Sequence, residues 1–153
     1  MEEKKDILIR PMEIEDLEQV CNIENQIFSK PWTREGFLSS LNDSNNIYLV
    51  VQRNDEIVGY CGLWGVVGEG QINNVAVKSS FRGQGIGQCM LTKLLQEGKK
   101  NSLTSFTLEV RESNAVAIGL YERLGFQSVG IRKNFYEEPR EGAVIMWLEN
   151  GII

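Results

Sequence analysis

Histidine is absent from this chain. That absence rules out Ser-His and Cys-His nucleophilic catalysis and most transition-metal sites, so no metal is expected. Proton transfer then falls to Glu, Asp, Tyr, Lys or Cys. Cysteine is scarce too: Cys21, Cys61 and Cys89 are odd in number and widely spaced, with no Cys-x-x-Cys pair. A disulfide framework and a zinc site are both disfavoured, and each thiol reads as a small buried hydrophobe, with a nucleophilic role left open for Cys89. No run approaches the roughly 20 apolar residues of a membrane span, and Met1 to Asp6 lacks the apolar core of a signal peptide. A cytoplasmic protein without membrane attachment is expected. Positive charge is in deficit, with 16 Lys and Arg against 21 Asp and Glu and a pI near 4.9. Direct nucleic-acid binding, which depends on cationic patches, is therefore not expected. Repeats, low-complexity tracts and linker-like stretches are missing as well, and 153 residues with 42% hydrophobic side chains suit one domain over 1–153.

What is present centres on Arg82-Gly83-Gln84-Gly85-Ile86-Gly87, between the strand-like run ending Val75-Ala76-Val77 and a helix-like run from Cys89 to Gln96. Closely spaced glycines strip away Cβ atoms where a helix begins and expose backbone N–H groups that the first helical turn leaves unpaired. With the positive end of the helix dipole and Arg82, such a turn suits a phosphate or pyrophosphate. It is not a P-loop, because Gln88 and Cys89 follow Gly87 where Lys and Ser/Thr are required. It is not a dinucleotide fingerprint either, since Gln88 replaces the third small residue.

Around this loop the periodicity predicts a fixed order of elements. A strand over Ile7–Arg10 ends at Pro11. A helix follows with Ile14, Leu17, Val20, Cys21, Ile27 and Phe28 at helical spacing, then a short helix capped by Thr33. A β-hairpin is predicted from Ile47 through Trp64 with its turn at Asn54-Asp55, and another turn spans Gly65 to Gly70. After the loop, Ile86, Met90, Leu91, Leu94 and Leu95 form one stripe, closed by Gly98 and the Lys99-Lys100 tail. Phe106–Val110 reads as a strand, Ala117 to Leu124 as a helix begun by Asn114, and Phe126–Ile131 and Ala143–Leu148 as final strands. Antiparallel strands followed by strand-helix alternation imply an α/β domain, a mixed sheet flanked by helices.

Arg/Gln-x-x-Gly-x-Gly/Ala after a strand resembles the coenzyme A pyrophosphate loop of the GNAT superfamily of N-acetyltransferases. Leu108-Glu109-Val110-Arg111, then Ser113-Asn114 and the run from Ala117 to Phe126, looks like the C-terminal half of that fold. Gly130 to Tyr136, with Pro31-Trp32, narrows the likeness to RimI-type ribosomal-protein alanine N-acetyltransferases, over about residue 7 to residue 148. The resemblance implies the GNAT fold, a mostly antiparallel central sheet flanked by four helices with a splayed central strand pair. Acetyl-CoA would be the acetyl donor and a protein N-terminus, that of a ribosomal protein, the partner. Its pantetheine arm would run along Val75, Ala76 and Val77, and its pyrophosphate would rest on the amides of Gly83 to Gln88, that is Gly83, Gln84, Gly85, Ile86, Gly87 and Gln88, beside Arg82. Asn114 reads from pattern as a helix cap; the resemblance adds contact with the coenzyme.

Acetyl transfer needs a neutral amine, a held oxyanion and a proton for the leaving thiolate. Glu109 is a carboxylate where strand propensity favours apolar residues, so it reads as a base or as the ion-pair partner of Arg111 or Lys133. The resemblance implies the base. Tyr121 reads from spacing alone as a core aromatic with a wet hydroxyl, and the resemblance implies the acid. The oxyanion would be held by the Val75 N–H. For the acceptor peptide the candidates are Pro31, Trp32, Glu69, Phe135, Tyr136 and Glu141. Many similar enzymes read Tyr-Tyr at Phe135-Tyr136 and carry an acid at Gly142, so peptide choice is the point of departure. A small-amine acetyltransferase and a non-catalytic coenzyme A binding module are the competing readings.

Overall fold

The computed structural model describes residues 6–149. Most of the N-terminal segment read for a leader, and both ends of the domain expected over 1–153, lie outside the described residues. A seven-stranded sheet runs β1 (Ile7–Pro11), β2 (Asn46–Arg53), β3 (Glu56–Val66), β4 (Glu69–Val77), β5 (Ser105–Arg111), β7 (Arg140–Glu149) and β6 (Gln127–Glu137) in spatial order. Among the described residues four α-helices accompany it: α1 (Leu17–Ile27), α2 (Arg34–Leu41), α3 (Ile86–Lys100) and α4 (Ala115–Arg123). Every neighbouring strand pair is antiparallel except β4 and β5.

At β2 and β3 both faces of the sheet are covered, which explains why Ile57 to Leu63 is an unbroken buried run rather than an alternating one. On one face, Met90, Leu91, Leu94 and Leu95 of α3 pack against Val51, Val58, Leu63, Phe106 and Leu108. On the other, Leu17, Val20 and Ile23 of α1 and Phe37 of α2 cover Tyr48, Val50, Ile57 and Tyr60. Burial of each such side chain is worth about 1.5–3 kcal/mol before entropy is charged against it.

Several boundaries differ from the periodic reading. The first helix begins as a 3₁₀ turn at Ile14–Asp16, and Ile14 and Phe28 at its ends are exposed rather than part of the stripe. The turn expected over Gly65 to Gly70 shrinks to Val67-Gly68, both with positive φ, because β3 and β4 stay paired up to Val66 and Glu69. α3 starts at Ile86 rather than Cys89 and continues through Gly98. A Cβ on Gly98 would lie 2.7 Å from the Phe106 ring, so this glycine lets the helix approach β5 instead of ending it. The final hairpin is longer than expected: β6 reaches Glu137 and β7 begins at Arg140.

The feature that positions the site is the central pair. β4 and β5 are paired only at Glu69–Ser105, Gly70–Phe106 and Gln71–Thr107. Beyond those residues the strands part, and β4 from Ile72 onward keeps a partner only in β3.

Candidate active site

The parted strands open a cavity of about 640 Å³, walled by Ile72 to Val75 of β4, Leu108 to Arg111 of β5, and Tyr121 of α4. The loop after α1 and the β6–β7 hairpin complete the wall with Trp32, Phe135 and Tyr136. Of the residues singled out above, the cavity brings together Glu109, Tyr121, Val75, Asn114, Trp32, Phe135 and Tyr136. Ala76, Val77, the glycine loop, Pro31, Glu69 and Glu141 are not among its lining residues.

Alternation along β5 buries Phe106, Leu108 and Val110 against α3 and α4 and turns Thr107, Glu109 and Arg111 to the opposite face. Glu109 does have an ion-pair partner, but it is Arg132 of β6 rather than Arg111 or Lys133: Arg132 Nε donates to Glu109 Oε2 at 2.5 Å. Arg111 is engaged elsewhere. It donates to the Pro139 and Glu138 carbonyls and to Glu141 Oε1, and its guanidinium lies 4.2 Å from the Tyr136 ring centroid. Lys133 is exposed in a bulge, where Arg132 pairs with Ala143 but Tyr136 already pairs with Glu141.

Tyr121 is the core aromatic that its spacing predicts, and its side chain also reaches the cavity. It packs edge-on against Phe126, with ring centroids 6.0 Å apart, and it also lines the cavity. Burial, helped by Tyr136 and Cys61, pushes its phenol well above the usual tyrosine value. The group therefore stays protonated at neutral pH and acts as a hydrogen-bond donor. Replacing Tyr121 by Phe is expected to lower kcat by about tenfold to a hundredfold. The ratio of wild type to variant should hold constant from about pH 6 to 9, because the tyrosine keeps its proton throughout. Parallel pH–rate profiles check this, and a ratio that collapses toward alkaline pH would show that Tyr121 ionises in the working range.

The cavity mouth is bridged from both sides. Ser29 Oγ donates to the Glu138 carbonyl at 2.8 Å, and Lys30 pairs with Glu137, tying the α1–α2 loop to the β6–β7 hairpin. Trp32 packs against Phe37 in a tilted arrangement with ring centroids 5.2 Å apart, so it is both packed and cavity-lining, while Pro31 is exposed. Glu141 holds the hairpin from within: it accepts from the Ser113 N–H and from Arg111, contacts that keep its carboxyl below the usual range. At Gly142 a Cβ would lie 2.1 Å from Glu112 Oε2, so the glycine makes room for that carboxylate, and an acid there would meet it.

The glycine loop lies beyond the cavity at the open end of β4. Gly83 and Gly85 have φ of 79° and 81°, left-handed values that favour glycine, and Gly85 is the residue preceding α3. Gly87 serves packing instead, since a Cβ there would come 3.2 Å from Leu120. Arg82 Nε donates to the Val77 carbonyl at 3.1 Å, which joins the loop to the strand. Asn114 is the cap of α4, accepting from Ala117 N–H at 3.1 Å, and it also lines the cavity. The residues present fit an elongated ligand with a phosphate at one end: a glycine turn opening a helix, whose first amides lack intrahelical acceptors, then a strand edge that β5 leaves unpaired leading inward.

Glu24 was not singled out from the sequence. It is buried, it lines the cavity, and it accepts from Tyr60 Oη at 2.5 Å and from Trp32 N–H at 3.0 Å. Its signal was available, because Leu17, Val20, Glu24 and Ile27 share one helical stripe and a carboxylate on a buried face needs partners. Among the described residues no group of three His, Cys, Asp or Glu side chains could hold a metal ion. No helix among them is long and apolar enough to cross a membrane.

A parallel strand pair that parts beside a glycine-opened helix, with a carboxylate and a phenol on the walls of the gap, is the arrangement of an acyl-CoA-dependent N-acyltransferase. Residues 17–126 match the acetyltransferase (GNAT) family, and the chain belongs to it. A Bacillus subtilis protein provisionally named a ribosomal protein bS18-alanine N-acetyltransferase is 39% identical over 92% of this chain and 93% of its own length. The Haemophilus influenzae ribosomal protein bS18-alanine N-acetyltransferase is 35% identical over 91% and 96%. The crystal structure of the Escherichia coli ribosomal-protein-S18-alanine N-acetyltransferase superposes with a TM-score of 0.87 at 32% identity, covering 96% of both chains. The protein is an N-acetyltransferase, and acetyl-CoA is the acetyl donor of its family.

Proposed function

We propose that this enzyme acetylates the α-amine of a protein N-terminus, the N-terminal alanine of a small-subunit ribosomal protein, by direct transfer in a ternary complex in the cytoplasm. The observation that carries the reading is the convergence of Glu109 and Tyr121 on one cavity whose mouth is formed by the β6–β7 hairpin and the α1–α2 loop. Acetyl-CoA would lie with its pyrophosphate on the amides of Gly83 to Gln88, its pantetheine beside Val75 to Val77 and Asn114, and its thioester between the parted strands.

The neutral amine attacks the thioester carbonyl carbon, and the Val75 N–H holds the oxyanion that forms. Glu109, directly or through a water, takes the proton the amine must lose. The C–S bond then breaks, and Tyr121 donates a hydrogen bond to the departing thiolate. Full transfer from Tyr121 is uphill by about 2 kcal/mol on reference values, and burial adds to that, so the thiol's proton comes finally from solvent. An α-amine fits this machinery better than lysine, since presenting a neutral lysine near pH 7 costs roughly 3 kcal/mol more.

The test is a panel: purified enzyme and acetyl-CoA with peptides beginning Ala, Ser or Met, an N-terminally blocked lysine peptide, and a polyamine. Thiol release is followed and products are confirmed by mass. Transfer to the free Ala amine at least about tenfold above the lysine peptide is expected. Preferred transfer to the polyamine would overturn the reading in favour of a small-amine enzyme.

A further inference from the structure

On the sheet face that carries Glu109, directly opposed residues of β5, β7 and β6 form rows. One row reads Glu109, Ile145, Gly130, and the next reads Arg111, Ala143, Arg132. Arg132 thus stands two strands away from Glu109 and one row along, and its side chain must cross β7 diagonally to make the 2.5 Å bond to Oε2. Gly130 and Ala143 border that path with almost no side chain. Arg111 is nearer in sequence and on the same strand face, yet its donors are spent on the hairpin and Glu141. Among the described residues, Arg132 is the cation that bonds Glu109.

The bond occupies one carboxylate oxygen, and Oε1 has no hydrogen-bond partner among the described residues. A glutamate side chain on its own rotates freely, whereas a base acts efficiently only when its accepting oxygen is held toward the reacting atom. The same guanidinium carbon lies 5.9 Å from the centroid of Phe135 on the mouth of the cavity. It therefore links the carboxylate to the wall that meets the acceptor.

We propose that Arg132 is a positioning residue: its guanidinium, reaching across β7, clamps Oε2 of Glu109 so that Oε1 is presented to the acceptor amine. This rests on the reading of Glu109 as the base, and the test separates the two. In steady-state assays with the Ala peptide, Arg132→Gln is expected to lower kcat about tenfold, with KM for acetyl-CoA within about twofold of wild type. Arg132→Lys keeps the charge but loses the planar fork, and should recover part of the loss. In a Glu109→Gln background, Arg132→Gln should change kcat by less than about twofold, because the carboxylate it positions is gone.

Wild-type kcat in Arg132→Gln, with Glu109→Gln inactive, would overturn the clamp and leave the base in place. An equal fractional loss in both backgrounds would overturn it too, by assigning Arg132 to the hairpin's structure. If Glu109→Gln alone keeps full activity, the reading of the base falls, and the clamp with it. The Arg132 side chain is 59% exposed, so these variants are expected to fold, and matched thermal midpoints check that.

Discussion

Replacing Glu109 by glutamine is expected to lower kcat/KM for an Ala-starting peptide by about 10²- to 10⁴-fold, the range a positioned general base supplies. The substitution preserves size and keeps an acceptor oxygen for Arg132, but it removes the basic lone pairs that take the amine's proton. Glu109 is half-buried, and an ion pair this open to water contributes about 1 kcal/mol or less, so the variant should unfold within a few degrees of wild type. Acetyl-CoA affinity by calorimetry should change by less than about twofold, because nothing in the glycine loop is touched. A variant that binds acetyl-CoA normally and turns over at the wild-type rate would remove Glu109 from the chemistry. Glu24, the other carboxylate buried in the same cavity wall, would then be the group to examine.

The second large effect belongs to Gly85. Its backbone is left-handed, with φ 81° and ψ 8°, immediately before the first turn of α3. A β-branched side chain resists that conformation by more than the roughly 1–2 kcal/mol an ordinary residue would cost, and the loop relaxes by rotating the amides that follow. Those amides are the proposed pyrophosphate donors. Gly85→Val is therefore expected to raise KM for acetyl-CoA about thirtyfold, close to 2 kcal/mol, with kcat at saturation within about threefold. Gly87→Ala is the control. It has no left-handed backbone to strain, and its added methyl would lie 3.2 Å from Leu120 and 3.9 Å from Val77. A similar rise in KM for both variants would mean that packing of α3 on α4, rather than the turn, governs coenzyme affinity.

How far the chain could be read from sequence depended on the range of the interaction. Thr33 and Asn114 cap the helices they precede, and the stripe of Met90, Leu91, Leu94 and Leu95 faces the sheet, because caps and stripes are local patterns. The order of strands and helices followed for the same reason. The full length of the hairpin leaves little trace in the sequence because β6 is almost wholly exposed, so its residues carry no burial alternation to reveal a strand. Gly98 looked like a stop, since nothing nearby in sequence announces that Phe106 needs its missing Cβ. The partner of Glu109 was hardest to see: β7 lies between the two strands involved, and a diagonal across three strands leaves no spacing signature. Glu24 carries a local signal, a charge on an apolar helical stripe.

The brief pairing of β4 with β5 has a consequence for the integrity of the molecule. Edges of sheets offer unpaired backbone that other chains can extend, and proteins shield them with charge, proline or short length. Here the unpaired stretch beyond Gln71 and Thr107 is an edge turned inward. A guest strand would need its two hosts roughly 9–10 Å apart along its whole length, double the ordinary interstrand spacing. This gap widens from ordinary spacing at the junction, so it is a wedge rather than a lane. The molecule can thus keep raw hydrogen-bonding backbone at its centre without becoming adhesive, because the shape of the opening excludes what the outer edges must repel by other means.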